Sequence, residues 1–169
     1  MVSKDIIKEH LFDTLGFKNR EEKVALGIAA MEIMYHFAES HLELGKPIIL
    51  ENNFEHLSKP GLIKLVDKYK CRTIMVRFHT EKKILSERFV IRDASPERHR
   101  GHIINSQYPE IPGGHSEYMV TNPESYFTVM EGRGMDTFSI GCEEIIVDTT
   151  DFSLVSYDAI YDDIIRRLK

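Results

Sequence analysis

Three polar constellations in this chain carry residue types suited to hydroxyl or phosphate chemistry. The first is Ser3-Lys4-Asp5-x-x-Lys8. A carboxylate at the junction of a short apolar start and a helix either caps that helix or accepts the proton of a bound hydroxyl. The second is Glu51-Asn52-Asn53, directly after Ile48-Ile49-Leu50. An acid and amides at a strand end hold a substrate hydroxyl or a metal-bound water, or simply form a polar turn. The third is Arg88-x-x-x-Arg92, followed by Arg98-His99-Arg100-Gly101-His102. Guanidinium forks match phosphate oxygens, but Arg88 and Arg92 also suit a solvated helix face paired with Glu87 and Asp93. The residues alone leave each pair of readings open.

Other candidates are weaker. His99, His102 and His115 fall in one segment without helical spacing or a nearby acidic ligand pattern, so loop polarity is preferred to metal binding. Cys71 and Cys142 have no Cys-x-x-Cys partner and read as reduced thiols. No protein-held metal site is assigned. The net charge of −5 argues against broad nucleic-acid coating, while leaving room for a local basic patch. No apolar run approaches the ~20 residues that span a bilayer, and Met1 to Asp5 is not a signal peptide, so a cytoplasmic location away from membranes is expected.

The elements that position these residues alternate between helix and strand. Val2 to Lys4 is a short apolar start, and Asp5 is expected to cap a helix from Ile6 to Leu15 that stops at Gly16. A long helix is predicted from Glu21 to Leu44, ending at Gly45. Pro47 to Leu50 reads as a strand covered on both faces. A helix from Pro60 to Lys70, a strand from Thr73 to Phe78 and a helix from Glu81 to Asp93, capped by Thr80, come next. Residues 95 to 122 hold three of the six prolines and three glycines, so they read as one long substrate-covering loop. A weak helix over Pro123 to Glu131, a strand over Glu144 to Asp148 and an amphipathic helix over Tyr157 to Leu168 complete one domain of 169 residues. This order predicts an α/β fold with a mainly parallel sheet, whose ligands sit beyond the C-terminal strand ends.

Ser3-Lys4-Asp5-x-x-Lys8-x-x-Leu11-Phe12-Asp13, then Ile49-Leu50-Glu51-x-Asn53-Phe54, then Arg88-x-x-x-Arg92 leading to Arg98-x-x-Gly101-His102, resembles the P-loop kinases of the zeta-toxin, chloramphenicol phosphotransferase and polynucleotide kinase group, often labelled AAA-family ATPases. The resemblance runs from residue 2 to about 105 and resumes over Glu144 to Thr150. It implies a three-layer P-loop fold and transfer of the γ-phosphoryl group of ATP, with Mg²⁺, to a hydroxyl of a small molecule or a nucleic-acid end. It implies Asp5 as the base, and Lys8, Glu51, Asn53 and Arg98 on the substrate side. Arg88 and Arg92 stand where lid arginines neutralise the triphosphate. Lys8 occupies a position often held by arginine, and so keeps the charge without the fork.

The sequence departs from that group in one respect. It has no G-x-x-x-x-G-K-[ST] run; its single Gly-Lys pair, Gly45-Lys46, is followed by Pro47. Such a loop cradles the phosphates with backbone amides, and without it nothing obvious holds the nucleotide. In the resembled fold the first strand lies between the third and fourth, so a sheet lacking it is predicted to have unpaired edges in its middle. Three explanations follow: a fragment or mis-started reading frame, a sheet completed by a partner or second copy, or a degenerate member serving as a non-catalytic binding module. The exposed gap favours self-association.

Overall fold

The structure, a computed structural model, describes residues 1–113 and 123–169. Four parallel-paired strands and seven helices alternate along these residues: β1 (Val2–Ser3), α1 (Lys4–Leu15), α2 (Arg20–Glu43), β2 (Leu50–Glu51), α3 (Lys59–Tyr69), β3 (Ile74–His79), α4 (Lys82–Ala94), α5 (Arg100–Ile103), α6 (Pro123–Gly132), β4 (Glu143–Asp148) and α7 (Tyr157–Leu168). Short 3-10 turns at His56–Ser58 and Phe152–Leu154 were not foreseen.

The strands form two separate two-stranded sheets. β1 pairs with β2 in the register Val2↔Leu50, and β3 with β4 from Ile74↔Glu143 to His79↔Asp148. Among the described residues β2 and β3 do not pair with each other, so each sheet keeps an open edge. The expected strand over Pro47 to Leu50 shrinks to Leu50 and Glu51. Part of the second sheet is also uncovered: Phe78 is 66% and Ile146 67% exposed.

Two-stranded sheets are marginal alone and need a packed layer. α2 supplies it. Asn19 Oδ1 accepts from Glu22 N–H at its start (2.8 Å), and Glu22 Oε2 accepts in return from Lys18 N–H (2.7 Å). Met31, Met34, Tyr35 and Ala38 then fall on one face and pack with Leu62, Leu65 and Phe138. Val2 and Leu50 of the first sheet and Met75 of the second lie against this same cluster. Gly61 permits the closest approach, since a Cβ there would strike the Tyr35 ring. Tyr35 Oη donates to the carbonyl of Ser58 (2.7 Å), and burial raises its pKa well above the usual tyrosine value.

A second apolar centre forms where α1 turns into α2. Phe12 is fully buried and meets Phe17 edge-on, with ring centroids 5.1 Å apart. Gly16, at φ +66°, makes the turn in the left-handed region, as its place after Leu15 predicts. Phe17 and Tyr108 then exchange two backbone hydrogen bonds of 2.8 Å. The segment expected as one long loop is therefore partly ordered onto the helices. It contains α5, and Gly101 lies so close to Phe12 that a Cβ would strike the ring. Residues 114–122 of that segment lie outside the described residues.

Lys23 joins this segment to α2. Its Nζ donates to the carbonyls of His102 (2.9 Å) and Ile104 (2.6 Å) and to Asn105 Oδ1 (3.1 Å). Burial, with Lys8, Arg20 and Arg98 nearby, pulls its pKa down to about 8. Replacing Lys23 by methionine keeps the stem but strands the carbonyls, at an expected cost of about 2 kcal/mol. Urea unfolding of the variant checks this; a midpoint equal to that of the wild type contradicts it.

Candidate active site

Ser3, not Asp5, caps α1: its Oγ accepts from Ile6 N–H (3.5 Å), because β1 ends at Ser3 and only its side chain stands three residues before that amide. The Ser3 hydroxyl also donates to Glu51 Oε2, tying the end of β2 to the start of α1. Freed from capping, Asp5 lies in the first helical turn, where the N-terminal dipole favours a negative charge. Lys8 Nζ meets Asp5 Oδ1 at 3.1 Å, with side-chain exposures of 20% for Lys8 and 47% for Asp5. Burial pushes the Asp5 carboxyl up, but Lys8, His102 and Arg98 together outweigh it and hold the group below the usual aspartate value. The result is an accessible, ionised acceptor among cations.

The segment after α4 forms the facing wall. His102, only 6% exposed, donates from Nε2 to Glu9 Oε1 (2.8 Å). Burial, reinforced by Lys8 and Arg98, pulls His102 down to about 4 against the opposing effects of Asp5 and Glu9, so the imidazole is neutral at pH 7. His99 accepts from Gly101 N–H at Nδ1 (3.1 Å) and so carries its proton on Nε2, which faces Asp13 Oδ1 at 3.0 Å. Tyr108 Oη donates to the same oxygen (2.7 Å). These contacts fasten the wall to α1. They also account for the three loop histidines in part: His99 and His102 are hydrogen-bonded struts, and His115 lies outside the described residues. Arg98 reaches the same place. Its Nε–H is buried and meets no acceptor among the described residues; Asp93 Oδ1 is 3.7 Å away.

The remaining predicted residues divide. Arg92 lies beside Arg98, with Nε and Nη2 both on Asp93 Oδ1 (2.9 and 2.8 Å) and its guanidinium over the Phe89 ring. Arg88 faces elsewhere: it donates to the carbonyls of Thr149 (2.7 Å) and Thr150 (2.9 Å) and stacks on Phe152, strapping the end of β4 to α4. Glu51 is engaged by Ser3, and Asn53 is exposed. The neighbouring Asn52 is the more notable residue, since its Nδ2 is buried with no acceptor among the described residues. Sequence reasoning also missed the pairing of Glu55, which is 8% exposed, with the Arg133 guanidinium. Lys4 lies within the electrostatic reach of this pair and of Asp5. Glu55 sits past the strand end and Arg133 lies 78 residues on, so no local pattern joins them. Thr80 does not cap α4; its hydroxyl shares a 2.7 Å hydrogen bond with that of Thr149.

No family model matches this sequence, and none of the curated proteins does. The structure is similar to a solved crystal structure described as a "putative kinase" from Chloroflexus aurantiacus J-10-fl, with 27% sequence identity and a TM-score of 0.79. The match covers 99% of this chain and 83% of that one. The fold is therefore a kinase-like α/β fold. Among the described residues no helix is long and apolar enough to cross a membrane.

The buried histidine makes a prediction. His102 has a folded pKa of about 4, below the 6.5 of a free histidine, so the unfolded chain takes up this proton first as the solution is acidified. The stabilising preference for neutral His102 is complete above pH 6.5 and is lost between pH 6.5 and about 4, on the order of 3 kcal/mol in all. His102→Gln keeps a donor and removes the titration. Its stability deficit relative to the wild type is expected to shrink over that interval in urea unfolding followed against pH. A constant difference refutes the assignment.

Proposed function

We propose that this chain is a phosphotransferase of the kinase type, moving the γ-phosphoryl group of ATP to a hydroxyl of a small molecule or a nucleic-acid end. The single observation that carries the reading is Asp5, ionised and half-exposed at the end of β1, with Lys8 and Arg98 beside it. Likeness to a crystal structure described as a kinase supports the same reading. Asp5 accepts the hydrogen bond of the attacking hydroxyl, orients the hydroxyl lone pair toward phosphorus and takes the proton as the new P–O bond forms and the bond to the β–γ bridging oxygen breaks, releasing ADP. Lys8 fixes the carboxylate and keeps it charged. Arg92 lies where charge on a transferring phosphoryl group is met, and Arg88 acts through the Thr149–Thr150 backbone that it holds. Glu51 and Asn53 border the acceptor side. The AAA-family and P-loop assignment belongs to this proposal as well.

The donor side is less complete. Among the described residues no three His, Cys, Asp or Glu side chains converge as metal ligands, so these residues do not fit a protein-held Mg²⁺; the ion would arrive with the nucleotide as substrate. The second reading is a non-catalytic binding module that retains the acceptor cleft; the sequence as given has no G-x-x-x-x-G-K-[ST] run.

The Asp5→Asn variant separates the two. It keeps shape and hydrogen bonding but cannot take a proton. Turnover with ATP is expected to fall by about 10²–10⁴-fold with little change in nucleotide affinity. Unchanged turnover removes Asp5 from the mechanism, and a wild-type chain that binds a hydroxyl compound without transferring phosphate supports the binding module.

A further inference from the structure

Of the cations Lys8, Lys23, Arg92 and Arg98, the first three have close oxygen partners. Lys8 has Asp5 (3.1 Å), Arg92 has Asp93 (2.8 Å), and Lys23 has its three oxygen acceptors. His102, neutral, spends its donor on Glu9. Arg98 is left over. It shares Asp93 at 3.7 Å with Arg92, its side chain is only 20% exposed, and its Nε–H is buried without an acceptor. Burial draws its pKa down from the ordinary arginine value, the opposite of what a satisfied ion pair does. A buried guanidinium Nε–H held in this state is costly unless a ligand brings an oxygen atom to it. Because a guanidinium stays charged and presents parallel donors, the matching group is a planar or tetrahedral oxyanion.

We propose that the acceptor molecule carries an anionic group, a phosphate or a carboxylate, which Arg98 holds while its hydroxyl faces Asp5. This inference rests on the kinase reading for the role of Asp5. The position of Arg98 favours the acceptor over the donor as the source of the anion. Arg98 is grouped electrostatically with Asp5 and Glu9 of α1 and His102 of α5, whereas Arg88 and the Thr149–Thr150 backbone form a separate contact at the end of β4. The substrate class is thus a hydroxylated anion such as a sugar phosphate or hydroxy acid, rather than a neutral alcohol.

The test is a titration without nucleotide, using matched pairs: ribose 5-phosphate against ribose, glycerate against glycerol, and gluconate against sorbitol. The readouts are calorimetric affinity and the ¹⁵Nε–¹H resonance of Arg98. At least one anion is expected to bind ten-fold or more tightly than its neutral partner and to move that resonance. Arg98→Met is expected to bring the pair within about two-fold, Arg98→Lys to leave an intermediate preference, and Arg72→Met, remote and of equal charge change, to leave it intact. If Arg98→Met does not fold, the Lys variant and the wild-type resonance still decide. The proposal is overturned if no anion outbinds its neutral partner, if the preference survives in the Arg98 variants, or if inorganic phosphate binds as well as ribose 5-phosphate, an adventitious ion only. It is also overturned if the magnesium complex of a non-hydrolysable ATP analogue alone moves the Arg98 resonance and displaces the anion, since the donor is then the source. Failure of the kinase reading looks different: anion preference persists, lost on changing Arg98, but no phosphate is transferred.

Discussion

The structure depends on one packing constraint: α2 must cover two sheets that cannot stand alone. Each sheet has only two strands, and the first contributes only two residues per strand. Their backbone pairing is too small to repay the entropy of ordering, so stability has to come from apolar contact. Met31, Met34, Tyr35 and Ala38 provide that contact on a single helical face, reaching Val2 and Leu50 on one side and Met75 on the other. The relation between the strand ends, and hence of any site built on them, follows from this shared layer and not from a continuous hydrogen-bonded sheet.

The candidate site inherits its geometry from the same helix. Lys23 projects from α2 to grip the carbonyls of α5, and α5 in turn carries His102 to Glu9 on α1. Phe12, on the buried face of α1, is packed by Phe17, and Gly101 leaves room for its ring. The groups around Asp5 are thereby held by α1, by α5 and by the turn before α5 that carries Arg98. An ionised Asp5 beside Lys8 and Arg98 is an electrostatic arrangement preorganised before any ligand enters, which is the form in which charged groups contribute most to phosphoryl transfer.

Much of this was legible in the sequence, and the exceptions are physical. The helices were readable because their apolar periodicity and the stops at Gly16 and Gly45 are local signals. The alternation of strand and helix gave the α/β class. The cap of α1 was misplaced by two residues because Ser3 and Asp5 are both good caps, and the choice depends on where β1 ends. The strand at β2 was overestimated because Ile48-Ile49 is apolar, yet Ile48 packs on the helices and Ile49 is 66% exposed. The order within residues 95–113 was invisible, since it rests on Lys23 and Phe17, more than seventy residues earlier. Order and spacing singled out Asp5, Lys8, Arg88, Arg92 and Arg98 as candidates, and the structure brings Lys8 to Asp5. The carbonyl partners of Arg88, just past the end of β4, had no local signal. Asn52, Glu55 and Arg133 escaped because burial and long-range pairing, not motif, distinguish them.

The central claim is that an acid poised at the end of β1 directs a hydroxyl against the terminal phosphate of ATP. The most direct measurement is to incubate the protein with [γ-³²P]ATP, Mg²⁺ and an extract of small hydroxylated metabolites, and to resolve the labelled products. The account predicts a new labelled phosphate monoester whose formation requires the protein. Label recovered only in ATP and inorganic phosphate, with no protein-dependent ester, would contradict it.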